Sequence, residues 1–244
     1  MEWFNSMLAH SLAYCPRWMI RPFANPYVAG KTIDDALKTI EEILSQGYSA
    51  TLDILGEHVQ TESEAQIVRD EYSELYEAIG NINGDCTISL KITHIGLDIS
   101  ENLAMENLMV IVHKAREASR GITIDMESSE LTDITLNIYK KTVAEFNQTG
   151  TVLQAYLFRS LDDLKNIDSP QLKLRICKGI YREPPEIAFQ TKEEIRNNFI
   201  TLVQTLLNGQ GTAQIATHDP IIIDSLENWI EENKIPPNRF EFQV

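Results

Sequence analysis

Cysteine is scarce in this chain of 244 residues, which has three, at Cys15, Cys86 and Cys177. Their number is odd and their spacing is wide, so they form neither a disulfide framework nor a zinc-binding pattern. The sequence also lacks a run of about 18 apolar residues, and we therefore expect no transmembrane helix. The first residues, MEWFNSMLAHSLAY, carry no basic group before their apolar stretch and match a signal peptide poorly. These features predict a reducing, cytoplasmic compartment.

Positive charge is also in short supply, with 21 Lys and Arg against 36 Asp and Glu and a formal net charge of -15. Because a nucleic acid is bound through clustered Lys and Arg, this balance argues against a nucleic-acid partner. It also disfavours adsorption to an anionic membrane. The histidines are isolated, with no close His-x-His pair, so we predict no metal site.

A glycine-rich phosphate loop is missing as well. The tetrapeptide AGKT, which ends at Thr32, resembles the end of such a loop, but Asn25 stands where the loop needs a glycine. The preceding RPFANPY cannot form the strand that the loop follows, because its prolines break a ladder of hydrogen bonds. We predict instead that Thr32 is the N-cap of a helix over IDDALKTIEEIL.

Seven short β-rich runs follow from Ser49 onward, and helical patterns follow the first six. The runs are SATLDILG, CTISLKITHIG, GITIDME, TVLQAYL, KLRICKG, AQIATHD and RFEFQV. Three of the helices have clear start signals, which are Thr61 with Glu64, Thr191 with Glu194, and Asp219 before Pro220. This alternation predicts right-handed crossovers and a parallel sheet.

Two architectures fit an alternating pattern, and the strand ends distinguish them. A doubly wound sheet normally has a glycine-rich turn after its first strand, whereas LDILGEH has a single glycine. A barrel needs polar residues at the carboxyl ends of several strands. The sequence has them at Asp53, Lys91, Asp125, Glu127, Gln154, Arg175, Lys178, Thr217, His218, Glu241 and Gln243. We predict a (β/α)8 barrel over residues 49–244 that lacks its last strand and helix, after an N-terminal helical segment over residues 1–48.

The strand-end residues predict a polar pocket, because burying a charge costs several kcal/mol unless the charge is paired. Taken singly, each residue has a structural explanation, such as a cap or a salt bridge. Taken together, they allow three chemistries. Lys91 or Lys178 could form a Schiff base, the histidines could hold a metal, or the cations could bind an anionic cofactor with an electron-accepting ring.

Several segments resemble the flavin-dependent proline dehydrogenases. They are QAYL from Gln154, LRICKGIYREPPEIAF from Leu174, IATHDP from Ile215 and FEFQ from Phe240. SLKITHIGLD and ITIDME are similar to the second and third strands of that family, and PYVAGKTIDDAL to its helix before the barrel. The segments occur in order along nearly the whole chain, which makes the resemblance specific.

The resemblance implies a fold, a reaction and partners. The fold is a (β/α)8 barrel with non-covalent FAD across the strand ends. The reaction is oxidation of L-proline to 1-pyrroline-5-carboxylate by hydride transfer to the flavin. The electrons then pass to a quinone, so a cytoplasmic protein would contact the inner face of the membrane transiently as a peripheral protein. The oligomeric state is not predicted.

The resemblance also implies roles for individual residues. The residues that would line FAD are Gln154, Arg175, Lys178, Gly179, Ile180, Thr217 and His218. Arg175 and Asp125 would be the catalytic residues, of which Arg175 would stabilise the anionic reduced ring and Asp125 would orient the cations. Lys91 would pair with the carboxylate of proline, and Tyr181 would form a wall beside the substrate ring. His218 is then a cofactor contact and not a catalytic base.

Two departures from the family pattern qualify these expectations. Ile180 stands where the family usually has alanine, which would narrow the pocket. The family's last helix supplies a Tyr and an Arg-Arg pair that hold the substrate carboxylate, and this sequence ends before that helix. We therefore expect a C-terminally truncated proline dehydrogenase with little turnover. A barrel lyase with a Schiff-base lysine and a non-catalytic flavin-binding barrel remain as alternatives.

Overall fold

The computed structural model describes residues 28–244. The chain divides into two compact units, of which the first comprises the residues up to Ala50 together with Ile82–Asp85. Its described part contains helix α1, Ile33–Ser45. The hydroxyl of Thr32 accepts a hydrogen bond from the Asp35 amide at 3.2 Å, which confirms Thr32 as the N-cap. The helices predicted before residue 28 lie outside the described residues.

The second unit comprises Thr51–Asn81 and Cys86–Val244. The strands of the sheet are β1 Ala50–Asp53, β2 Cys86–Leu90, β3 Ile122–Ile124, β4 Thr149–Gln154, β5 Lys173–Cys177, β6 Thr212–Ala216 and β7 Phe240–Gln243. The helices between them are α2 Glu62–Ile79, α3 Glu101–Glu117, α4 Thr132–Glu145, α5 Ser160–Ile167, α6 Lys192–Asn208 and α7 Pro220–Glu232.

The seven strands form one sheet in which each strand neighbours the next strand of the sequence. The pairs from β2 to β7 are parallel, and Arg175 in β5 lies opposite Val152 in β4 and Gln214 in β6. A parallel sheet in strict sequence order with a helix after each strand is the arrangement of a (β/α)8 barrel. The predicted fold class is confirmed, with seven of the eight strands in the described residues.

The helix starts follow the side-chain signals in the sequence. Thr61 and Thr191 each form a complete capping box with the glutamate three residues later. Asp219 caps α7 by accepting a hydrogen bond from the Ile221 amide at 3.2 Å. Among the helices of residues 28–244, none combines the length and the hydropathy needed to cross a membrane.

Several β-rich runs end as strands before the run itself ends, and two of them turn to another contact. The run CTISLKITHIG is a strand only to Leu90, and Thr93–Ile95 form a 3-10 turn. The turn forms because the amide of Thr93 donates to the Glu127 carboxylate at 3.1 Å instead of joining the sheet. The run TVLQAYL leaves the sheet after Gln154, and Leu157 forms an isolated antiparallel bridge to Ala188.

Candidate active site

An ion pair joins Arg175 in β5 to Asp125 directly after β3, two strands that β4 separates in the sheet. Arg175 Nη1 donates to Asp125 Oδ1 at 2.7 Å, and Arg175 Nε donates to Gln243 Oε1 at 2.9 Å. The two charged side chains are only 15% and 17% exposed. Burial raises the pKa of Asp125 above its usual value, although the charge of Arg175 opposes that shift. The guanidinium is therefore fixed by a carboxylate after β3 and an amide on β7.

A second ion pair lies at the ends of β1 and β2. Lys91 Nζ is 3.0 Å from Asp53 Oδ2, and the hydroxyl of Tyr72 donates to Asp53 Oδ1 at 3.1 Å. Burial tends to lower the pKa of Lys91, but the charge of Asp53 and its hydrogen bond outweigh burial and raise it. Lys91 is therefore positively charged at neutral pH, and it is 22% exposed.

Glu127 is a buried carboxylate at the end of β3, with 1% exposure. Its oxygens accept hydrogen bonds from the amide and the hydroxyl of Thr93. Burial raises the pKa of Glu127. The side-chain amide of Gln154 donates to the Glu127 backbone oxygen at 2.6 Å. Gln154 Oε1 is buried and has no hydrogen-bond partner within residues 28–244.

A three-residue group, which we call the Asp219 cluster, consists of Lys178, Arg196 and Asp219. Lys178 Nζ and Arg196 Nε lie 2.5 Å and 2.8 Å from the same oxygen, Asp219 Oδ2. The hydroxyl of Thr217 accepts a hydrogen bond from the Asp219 amide at 3.1 Å. The hydrogen bond from Arg196, with that from Lys178, lowers the pKa of Asp219 to about 2. The Asp219 carboxylate is therefore ionised at neutral pH.

The loop after β5 is fixed close to the sheet. Gly179 has a φ of 107°, and a Cβ at this position would lie 2.4 Å from the ring of Tyr156. Two residues on, the hydroxyl of Tyr181 donates to Glu57 in the loop after β1 at 3.3 Å. Burial raises the pKa of Tyr181 to about 12. The carboxylate of Glu183 accepts hydrogen bonds from the amide and hydroxyl of Ser129. The loop is thus tied to the loops after β1 and β3.

The structure brings some of the predicted site residues into direct contact and leaves others apart. Asp125 contacts Arg175, whereas Lys91 contacts Asp53, which was noted only as a strand-end residue. His218 is exposed, and Ile180 is 88% exposed. The side chain of Ile180 therefore projects into solvent where the sequence suggested a pocket wall.

Sequence reasoning missed Glu57 and Arg196 and treated Asp219 only as a helix cap. Glu57 lies four residues beyond β1, where no pattern marks it. Arg196 lies in the first turns of α6. The prediction rested on polar residues at the carboxyl ends of strands, and Arg196 is not one of them. A basic residue five positions after the N-cap Thr191 is the only signal that the sequence offers for it.

One group of residues within 28–244 has the spacing of metal ligands. The ligand atoms of Glu57, His58 and Glu127 lie within 4.8 Å of one another. However, both Glu127 oxygens accept hydrogen bonds from Thr93, and His58 Nδ1 lies 2.7 Å from Asp98 Oδ2. The hydrogen bonds with Thr93 and Asp98 thus position the Glu127 and His58 side chains without a metal ion.

Of the cysteines that the structure describes, Cys177 is a free thiol. Cys177 ends β5, and burial raises its pKa to about 11. The thiol is therefore not a ready nucleophile at neutral pH. Cys15 lies outside the described residues.

Comparison with known proteins agrees with this geometry. A family model described as proline dehydrogenase matches residues 36–244. Proline dehydrogenase 1 of Bacillus subtilis subsp. natto is 40% identical over 222 residues, which are 91% of this chain and 73% of that protein. The proline dehydrogenase of Deinococcus radiodurans is 32% identical over 226 residues, with the same coverage of 91% and 73%.

A solved structure shows the same fold. Proline utilization A of Bdellovibrio bacteriovorus, inactivated by N-propargylglycine, superposes with a TM-score of 0.80 at 23% identity. The superposition covers 88% of this chain and 27% of that one, so this chain corresponds to about a quarter of the larger protein. The family model and the two relatives, together with the ordered parallel sheet, show that this chain belongs to the proline dehydrogenase family.

Proposed function

We propose that the chain oxidises L-proline to 1-pyrroline-5-carboxylate with non-covalently bound FAD as the hydride acceptor. The observation that carries the proposal is the fixed guanidinium of Arg175. It is held by Asp125 and Gln243 at the carboxyl ends of parallel strands, in a chain of the proline dehydrogenase family. Carboxyl ends of barrel strands are where such enzymes place their active sites.

The residues near Arg175 fit a flavin cofactor. Gln154 Oε1 is a buried acceptor that lacks a donor within the described chain, and leaving such an atom unpaired costs about 1–3 kcal/mol. The flavin ring has an N–H group that could supply this donor. Gly179 lets the backbone after β5 turn without a side chain, and Lys178 beside it offers a cation. These residues, with Ile180, Thr217 and His218, are those we propose to hold FAD.

A bound FAD would supply the hydride acceptor for the reaction. The chain's own residues provide the electrostatics for that transfer. Arg175 places a permanent positive charge at the site, which favours negative charge on an adjacent group as electrons arrive. Asp125 and Gln243 hold the guanidinium in one orientation, so little reorganisation is needed during the reaction.

Substrate binding is assigned to the other ion pair. Lys91 is protonated and 22% exposed, so its ammonium can bind a carboxylate while Asp53 keeps it in place. Tyr181 is held by Glu57 and can pack against the substrate ring. Its hydroxyl remains protonated at neutral pH because burial raises its pKa to about 12.

The electron acceptor is the final part of the proposal. We assign it to a quinone, which the flavin-dependent members of the family would reach at a membrane. This assignment rests on the resemblance of the motifs and gives the protein a cytoplasmic location with transient contact at the membrane surface.

The test is the colour and the redox response of the purified 244-residue chain. We expect the visible absorption of oxidised flavin, and we expect anaerobic L-proline to bleach it slowly, in keeping with little turnover, while D-proline leaves it unchanged. A colourless protein in which borohydride traps a carbonyl substrate on Lys91 or Lys178 would favour a lyase and overturn the proposal. Bound flavin that L-proline cannot reduce would instead indicate a non-catalytic flavin-binding barrel.

A further inference from the structure

Two cations share a single carboxylate oxygen in the Asp219 cluster. Lys178, directly after β5, and Arg196, near the start of α6, both donate to Asp219 Oδ2. Asp219 Oδ1 is already used, because it accepts the hydrogen bond from the Ile221 amide that caps α7. The cluster therefore has two positive charges against one negative charge, in a chain whose formal net charge is -15.

The cations of the cluster are accessible, whereas the anion is not. The side chains of Lys178 and Arg196 are 39% and 29% exposed, and that of Asp219 is 5% exposed beneath them. Within residues 28–244, Arg196 uses only Nε for its hydrogen bond. Its two terminal guanidinium nitrogens remain available to an incoming anion. An arginine fork of this kind suits the oxygens of a phosphate group.

The position of the cluster points to the cofactor. Lys178 and Asp219 follow adjacent strands, β5 and β6, at the same carboxyl ends that hold Arg175. An anion bound there would lie beside the start of α7, which begins at Pro220, and the dipole of a helix favours negative charge at its start. If the flavin ring of the dinucleotide lies beside Arg175 in β5, its phosphate groups can reach the Asp219 cluster, which follows β5 and β6.

We propose that Arg196 binds the phosphate groups of the dinucleotide cofactor together with Lys178, and that Asp219 is a positioning residue which holds the two cations side by side. The inference rests on the proposed function, because FAD is the ligand. It goes beyond the resemblance, which implied Lys178 as a cofactor contact and gave no role to Arg196. Arg196 thus becomes a binding residue that lies on a helix and not on a strand end.

The experiment compares two flavins that differ in their phosphates. The full 244-residue chain, freed of flavin, is titrated with FAD and with riboflavin, which has no phosphate, and quenching of flavin fluorescence gives each affinity. In Arg196→Gln, we expect FAD affinity to fall by about 10- to 100-fold, since a charge-assisted hydrogen bond is lost. Riboflavin affinity should stay unchanged, and Arg196→Lys should recover part of the loss.

The matched control is Lys173→Gln, which removes one positive charge from an exposed residue at the opposite end of β5. It should alter neither affinity. Asp219→Asn should weaken FAD binding and leave riboflavin binding intact, because the cations lose their alignment but the ring contacts do not.

The outcomes separate the inference from the function on which it rests. Equal losses for FAD and riboflavin in Arg196→Gln would mean that Arg196 only supports the structure, and an unchanged FAD affinity would mean that it has no role in binding. Either result overturns the inference while leaving FAD as the cofactor. A wild-type chain that binds neither flavin overturns the proposed function, and the inference with it.

Discussion

Two carboxylates at the ends of this sheet, Asp125 and Asp219, both pair with arginine yet titrate in opposite directions. Burial raises the pKa of Asp125, even though Arg175 lies 2.7 Å away. The hydrogen bond from Arg196, with that from Lys178, lowers the pKa of Asp219 to about 2. At Asp125, desolvation by the surrounding protein has the larger effect on the pKa. At Asp219, the hydrogen bonds from its two partly exposed cations have the larger effect.

The pairing of an aspartate with an arginine therefore serves two different purposes in this sheet. At Asp125 the protein fixes one cation rigidly, because an unpaired charge in that environment is unfavourable. At Asp219 it gathers more positive charge than the carboxylate neutralises and leaves it open to solvent. The first arrangement suits a group that must stay in place beside a reacting ring, and the second suits a group that must receive an anion.

The largest expected effect comes from removing each of the two carboxylates in turn. Asp125→Ala should lower the free energy of unfolding by about 3–5 kcal/mol, because Arg175 stays buried without its counter-ion. Asp219→Ala should lower it by about 1 kcal/mol, mainly through the lost helix cap. Urea unfolding followed by circular dichroism measures both. As a control, Asp125→Ala combined with Arg175→Met should recover much of the loss, and similar losses at both aspartates would contradict the distinction.

A second test concerns Gly179, which lies next to the Asp219 cluster and four residues after Arg175. Gly179→Ala should destabilise the fold by about 2–4 kcal/mol, because a positive φ disfavours alanine and the new methyl group would displace the Tyr156 ring. Gly47 is the matched control, since its φ is also positive at 86° but a Cβ there has nothing within 4 Å.

Gly47→Ala should therefore cost only about 1 kcal/mol, from backbone strain alone. Thermal unfolding of the two variants gives the comparison. If both variants lost the same stability, the contact between Gly179 and Tyr156 would not matter to the loop.

The third test examines whether Lys91 binds the substrate carboxylate. Lys91→Met should weaken binding of a non-oxidisable cyclic carboxylate by about 10- to 100-fold, because a charge-assisted contact is removed. The affinity is read from the change that the ligand causes in the flavin spectrum. The control is Lys114→Met, which removes an ion pair with Glu77. Lys114 lies in helix α3 and not at a strand end, so the affinity should stay unchanged. Unchanged affinity in Lys91→Met would remove Lys91 from the binding site.

The smallest expected effect is the pH dependence of the Asp219 cluster. Asp219 has a lower pKa in the folded chain than its ordinary value of 3.8, so its ionised form stabilises the fold. That contribution is complete above the ordinary value and is lost as the pH falls towards about 2. The wild type should exceed Asp219→Asn in stability by less than about 1 kcal/mol at neutral pH, because the cations are partly exposed.

This stability difference should shrink in melting curves recorded as the pH is lowered through that window. A difference that grew on acidification would mean that the pKa of Asp219 is raised, like that of Asp125. The two carboxylates would then belong to the same class.

Most of the fold could be predicted from local patterns. The seven β-rich runs and the capping residues Thr32, Thr61 and Thr191 follow from signals within a few residues of sequence, and the barrel follows from the alternation of runs and helices along the chain. The strand ends could not be predicted as well, because Thr93 leaves the sheet to bind Glu127, which lies 34 residues away. That bond depends on how β3 sits beside β2.

The sequence was enough to predict which charged residues lie at the strand ends. It was not enough to predict which of them pair with each other. The sequence placed Lys91, Asp125 and Arg175 at one edge of the sheet, and the motifs gave them expected roles. Which cation meets which acid depends on register and side-chain direction, and these come only from the folded chain. Arg196 shows the limit most clearly, since its function, as we propose it, comes from where α6 packs.

The hydrogen bond between Arg175 and Gln243 spans 68 residues of chain and so bears on the order of assembly during synthesis. Strands β4, β5 and β6 can form their ladders before β7 exists, but the guanidinium acquires its second anchor only when β7 pairs with β6. A contact this distant in sequence has a larger entropic cost of loop closure than a local one. The charge at the centre of the proposed reaction therefore receives its second anchor late, and a nascent chain that folds from its N-terminus holds Arg175 through Asp125 alone until β7 has left the ribosome.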